Sequence, residues 1–198
     1  MSYKPTAEEI KRLREETGAP MMECRKALVE ANGEFEKGKE ILHKRGAAQA
    51  QKKEERVANE GLVTSYIHAG GKIGVLVEVN SETDFVARNP KFGELSRDIA
   101  MHIAAMSPQY VDRESVPADV LENVRAELAA NVPAGKPAEV AQKIVQGKLN
   151  KWFEEHCLLD QPFVKDDSMS VLDLINSVVG VLGEKIKVRR FTKYALGE

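Results

Sequence analysis

Ile73-Gly74-Val75-Leu76-Val77-Glu78-Val79 decides the fold. Ile73, Val75, Val77 and Val79 fall at every second position, so one face of an extended strand is apolar along its whole length. Upstream, Leu62-Val63-Thr64-Ser65-Tyr66-Ile67 is β-branched and aromatic, and Gly70-Gly71 between the two runs is a hairpin turn signal. Downstream, Ser81 to Arg88 reads as a loop. Asn89-Pro90 then opens a helix, with Asn89 as N-cap and Pro90 at the first helical position. Phe92, Leu95, Ile99, His102, Ile103 and Met106 recur at spacings of three and four, which is one helical stripe.

Further along, helices are predicted over about 117–131 and 137–155, separated by Gly135-Lys136-Pro137. Leu158 to Asp167, which contains Gln161-Pro162-Phe163-Val164, reads as a loop or extended stretch. Ser170-Val171-Leu172-Asp173 caps a last helix that ends at Gly183. Lys185 to Leu196 reads as a final strand, with Ile186 and Val188 alternating with Lys187 and Arg189. A hairpin, several helices and a returning strand make an α+β core: a three-stranded antiparallel sheet with helices on one face.

Upstream of the hairpin the period is helical. Thr6-Ala7-Glu8-Glu9 fits a capping box, Ile10 and Leu13 share a face, and Gly18 offers a left-handed stop. A second helix begins near Pro20 and carries Met21, Cys24, Leu28 and Ala31 at helical spacing, with Asn32-Gly33 ending it. A third is predicted from about Glu34 to Arg45, with Phe35, Ile41 and Leu42 inward and Gly46 beyond its end. Residues 47–60 are rich in Ala, Gln, Lys and Glu and read as a connector. The division is therefore 1–54, a three-helix bundle with its connector, and 55–198, the α+β core.

Composition narrows the function. With 42% hydrophobic and 30% charged residues, the 198-residue chain is in the range of an ordinary globular protein. No apolar run approaches a membrane span and the N-terminus lacks the apolar stretch of a signal peptide, so the cytoplasm is expected and no membrane contact. The net charge of −2 gives no general surplus for phosphate backbones, and no direct nucleic-acid binding is expected. Lys185, Lys187, Arg189, Arg190 and Lys193 form either a local basic patch or, the more common case, a solvated strand face. Cys24 and Cys157 form no Cys-x-x-Cys pair, so neither a disulfide framework nor a zinc site is expected.

No pair among His43, His68, His102 and His156 has a helical metal-ligand spacing, and no nucleophile or phosphate-cradling motif appears. His102 reads as a satisfied core histidine. Adjacent His156 and Cys157 would point apart on a helix, which disfavours a catalytic pair. Two features remain. Met21-Met22 sit about 100° apart on a helix, so one belongs at the edge of the core, or both are peripheral core. In Thr83-Asp84-Phe85-Val86, a large aromatic stands in a polar segment. It either folds back over the core, with Asp84 capping an amide, or it is an exposed anchor on a rigid frame.

Thr17-Gly18-Ala19-Pro20-Met21-Met22-Glu23-Cys24-Arg25-Lys26-Ala27-Leu28 resembles the N-terminal signature of the bacterial elongation factor Ts family, which usually has Gly at the position of Pro20. Ser81-Glu82-Thr83-Asp84-Phe85-Val86-Ala87 resembles its second signature, and Gln161-Pro162-Phe163-Val164-Lys165-Asp166 follows in order. The resemblance covers essentially the whole chain and is to the short form, which lacks the coiled-coil hairpin and second core half of longer members. It implies a UBA-like N-terminal bundle and a guanine-nucleotide exchange factor for the GTPase elongation factor Tu, with no catalytic residue, metal or cofactor of its own. By this resemblance Leu13, Met21 and Met22 contact the GTP-binding domain, and Thr83, Asp84, Phe85 and Val86 disturb the partner's magnesium site. A homodimer would supply the missing half, bringing His68 of one protomer near a GTPase bound by the other. The rival readings are a helical adaptor for peptides joined to a dimerisation module, and a small-molecule enzyme.

Overall fold

In the computed structural model, which describes residues 3–133 and 136–198, the hairpin forms as its alternation dictates. β1 (Glu60–Ile67) pairs antiparallel with β2 (Ile73–Ser81), and β5 (Ile186–Ala195) pairs antiparallel with the other edge of β2. The order is β1-β2-β5, which makes the alternating strand the central one. Val75, Val77 and Val79 are buried against α5 (Pro90–Met106) and α8 (Val171–Leu182), whose Phe92, Ile99, Ile103, Val171 and Ile175 fill one core. Each such side chain contributes about 1.5–3 kcal/mol by leaving water. Asn89 caps α5 through its side chain, as expected. Met106 departs from the stripe: it lies in the last turn of α5 and is 44% exposed.

Three helices precede the sheet: α1 (Ala7–Thr17), α2 (Met21–Glu30) and α3 (Phe35–Gln51). The capping box of Thr6 and Glu9 is present, and Gly18 ends α1 in a left-handed conformation. Leu13, Cys24, Ala27 and Leu28 form a small core. Arg45 ties α3 to α2 through Glu23 and Glu30, at 3.0 and 2.7 Å. Pro20 takes the N-cap of α2 with φ −57°, the value its ring prefers, so it fits this backbone without strain.

Gly46 is not a terminator. α3 runs through it, and its missing side chain lets the helix pack closely on α8: a Cβ there would lie 2.8 Å from the Asn176 carbonyl oxygen. Gly180 faces it from α8, with its own Cβ position 3.3 Å from the Gly46 Cα. The glycine signal marked a crossing, not an end.

One stretch expected as a loop is helical, and one expected as a loop or extended stretch is partly extended. Residues 84–87 form a single helical turn, α4 (Asp84–Ala87). Beyond α6 (Ala118–Ala130) and α7 (Ala138–His156), a 3₁₀ turn at Leu158–Asp160 leads into a small hairpin, β3 (Pro162–Phe163) with β4 (Asp166–Ser170). The buried side chain of Phe163 anchors it to the main core. Gly135, expected between α6 and α7, lies outside the described residues.

A methyl at the crossing should be costly where one in open solvent is not. Gly46→Ala gains about 1 kcal/mol of helix propensity but forces two backbones apart, for a net loss of roughly 1–2 kcal/mol and a Tm lower by about 3–6 °C. Gly147→Ala on exposed α7, where an added Cβ meets nothing within 4 Å, should raise Tm by about 1–3 °C. Thermal denaturation followed by circular dichroism checks both signs.

Candidate functional site

The turn after β2 is built to expose one ring. Ser81 is buried and its hydroxyl donates to the Thr83 carbonyl at 2.9 Å, which bends the chain out of the strand. Thr83 is the N-cap of α4, accepting from the Val86 amide at 3.4 Å. Val86 and Ala87 point into the core and fasten the turn from below. Asp84 pairs with Arg88 across one helical turn at 2.8 Å in full solvent, an interaction worth little. Phe85, between them, is 80% exposed. It does not fold back over the core, so the anchor geometry is the one the chain adopts.

The turn is also held from the far end of the sequence. The Glu184 carboxylate accepts from the Thr83 amide at 3.0 Å and from the Thr83 hydroxyl at 2.7 Å. In return, the Lys185 amide donates to Glu82 at 2.6 Å. That bond, with help from Arg56, holds the Glu82 carboxyl below its ordinary pKa despite partial burial.

The first turn of α2 exposes both methionines, Met21 at 45% and Met22 at 58%. The helical offset that argued for one edge residue instead places the whole core stripe on Cys24, Ala27 and Leu28, leaving both methionines to solvent. Leu13 is different: it is 0% exposed. It supports α2 from beneath and has no surface to offer a partner. The sequence reading that made it a contact is corrected on this point. A groove lined by Lys11, Arg14, Gly18, Asn89, Lys91 and Val181 brings the approaches to the two exposed segments together. Gly18 lies just before the methionines and Asn89 just after the Phe85 turn, and the Lys91 side chain lies across Gly18 where a Cβ would be.

His68 lies elsewhere. It is exposed at the tip of the β1–β2 hairpin, where its Nδ1 meets the Tyr66 hydroxyl at 3.1 Å. The length of β2 separates it from Phe85, roughly 25 Å at the rise of an extended strand.

His102, His156 and Cys157 are engaged structurally. His102 is buried; its Nδ1 accepts from the Val164 amide at 3.2 Å, which leaves Nε2–H to donate to the Gln161 side-chain oxygen at 2.9 Å. Burial pushes its pKa down. His156 stacks on Trp152 with ring centres 4.3 Å apart, while burial pushes the neighbouring Cys157 thiol up to about 11. The basic strand is paired too. A bulge at Glu78/Val79 lets Arg189 and Arg190 both reach Glu78, at 2.9 and 2.7 Å. Among the described residues, no cluster of His, Cys, Asp or Glu is arranged to hold a metal ion, and no helix is long and apolar enough to cross a membrane.

An aromatic exposed on a braced turn and an exposed methionine pair, both carried by an α+β frame, have the build of a protein-binding factor. The family model described as elongation factor TS matches residues 36–198. Elongation factor Ts of Carboxydothermus hydrogenoformans is 53% identical over 194 residues, covering 98% of this chain and 89% of the relative. That of Pseudothermotoga lettingae is 53% identical, covering 98% of both. The protein of Koribacter versatilis reaches 54% over 196 residues. The chain belongs to the elongation factor Ts family, whose members are nucleotide exchange factors interacting with elongation factor Tu in translation elongation.

Proposed function

We propose that the chain binds the GDP form of elongation factor Tu in the cytoplasm and speeds GDP release by seating Phe85 beside the partner's magnesium site. The observation that carries this reading is the exposure of Phe85 on a turn whose neighbours on both sides are fixed. Mg²⁺ demands near-ideal octahedral geometry and bridges nucleotide phosphates, so small displacements of its surroundings weaken the nucleotide. A rigid ring that fits only the displaced arrangement shifts the balance toward it. Each preference of about 1.4 kcal/mol weakens GDP tenfold, and GDP weakens the factor's binding equally.

The other residues take graded roles. Thr83 caps the turn, Val86 anchors it, and Asp84 brings a carboxylate to the polar groups around the ion. Met21 and Met22, soft and adaptable, bind the GTP-binding domain, with Leu13 behind them as support. Residues 1–54 then serve as the clamp, and 55–198 as the core that carries the turn and the dimer contact. No acid, base or bound cofactor is required of this chain, since the work is differential binding.

The assembly part of the proposal rests on the open face of the sheet. Val63, Ile67, Leu76 and Tyr194 stand 47–73% exposed on the side away from α5 and α8. A second copy presents the same patch and can cover it about a two-fold axis. His68, too far from Phe85 to reach the same magnesium, would then meet a GTPase held by the mate.

Stopped-flow release of labelled GDP from elongation factor Tu tests the first part. Phe85→Ala should slow release at saturating factor by at least about tenfold, as for an interface anchor; an unchanged rate would sink the reading. Sedimentation tests the second: a dimer at micromolar concentration is expected, converted to monomer by Leu76→Asp. A parent chain that sediments as a monomer contradicts it.

A further inference from the structure

The residue that must act on the partner sits on the least self-sufficient element of the chain. A four-residue helix forms too few hydrogen bonds to meet its own nucleation cost. At two other helix starts, the chain closes the capping box locally. At α1 the Thr6 hydroxyl caps the helix, while Glu9, three residues on, takes the Thr6 amide at 2.7 Å. At α8 the same exchange joins Ser170 and Asp173. At α4 the cap is Thr83, but the residue three positions on is Val86, which is buried and has no acceptor. Glu184, 101 residues away, supplies the missing carboxylate and takes both the amide and the hydroxyl of Thr83.

We propose that Glu184 is a positioning residue for nucleotide release, closing from across the fold the capping box that holds Phe85 in its exposed orientation. This rests on the reading of Phe85 as the group that acts on the partner. The hydroxyl of Thr83 has one proton. By taking it, Glu184 turns a lone pair of that oxygen toward the Val86 amide, so one carboxylate orders both halves of the cap. Asp84 and Arg88 cannot do this, since their pairing is fully solvated.

Glu184 is also placed to relay position. It follows Gly183, the left-handed end of α8, whose carbonyl accepts from Lys53 at 2.7 Å just past α3. Lys185, on its other side, bonds Glu82. Three consecutive residues therefore tie the end of the bundle's last helix, the cap of the Phe85 turn and the strand end before it. The turn is aimed relative to the methionines through this joint.

Glu184 need not touch the GTPase, so its loss should separate rate from affinity. In GDP release from elongation factor Tu, Glu184→Ala should lower the maximal rate at saturating factor by roughly five- to tenfold, with the half-saturating concentration changed less than twofold. The two charged hydrogen bonds lost are of a strength sufficient for that change. Amide exchange at Val86 and Ala87, whose N–H groups are held by Thr83, should quicken at least tenfold in the free factor, with Tm within a few degrees of the parent. Glu184→Gln, which keeps one acceptor, should fall between, and it decides the matter if the alanine variant does not fold. A full maximal rate, or a loss seen only as weaker half-saturation, overturns the proposal. If Phe85→Ala slows release and the Glu184 variants do not, only the positioning role fails; if Phe85→Ala is also silent, the exchange reading fails with it.

Discussion

Where Gly46 meets Gly180, α3 and α8 approach so closely that a side chain on Gly46 would clash with the α8 backbone and one on Gly180 would crowd Gly46. α3 belongs to the bundle and α8 to the sheet's helical layer, so this crossing fixes the bundle relative to the core. A glycine inside a helix costs about 1 kcal/mol against alanine. Two of them facing one another are retained for contact: closely packed helices have one seating, and a larger side chain would lever them apart. The rest of the binding face follows from this constraint. α2 leans on α3 through Arg45, which sets the methionines. α8 ends at Gly183, and the residues beyond it reach Lys53, Thr83 and Glu82.

The face so assembled is soft at one end and stiff at the other. Met21 and Met22 are unbranched and can settle against an irregular surface. Phe85 stands on a turn capped, buttressed and tied from the distant connection between α8 and β5. On the proposed reading, that division has a reason. Docking tolerates adaptation, whereas displacing a magnesium ion's surroundings requires a group that does not yield when pressed.

Much of this was legible in the sequence, because the relevant signals are local. The alternation at 73–79, the Thr6 and Ser170 capping boxes, the Asn89-Pro90 start and the left-handed stops at Gly18 and Gly183 each act within a few residues. What was not legible depends on partners far along the chain. Gly46 looked like a stop because a glycine needed for close packing and one needed for a turn are the same letter; only α8 distinguishes them. Residues 84–87 looked like a loop because half of their cap comes from Glu184. The burial of Leu13 is legible in its place beside Ile10 on the stripe of α1, whereas the family resemblance implied contact. The exposure of Phe85 could not be read from composition, since an aromatic near a core most often turns inward.

The central claim is that the α2 start and the Phe85 turn form one face that meets elongation factor Tu together. Hydrogen–deuterium exchange of the chain, free and mixed with GDP-bound elongation factor Tu, tests it most directly. The account expects new protection in peptides covering Met21–Cys24 and Thr83–Arg88 together, with α6 and α7 unchanged. Protection confined to α6 and α7, with both segments exchanging as in the free chain, would contradict it.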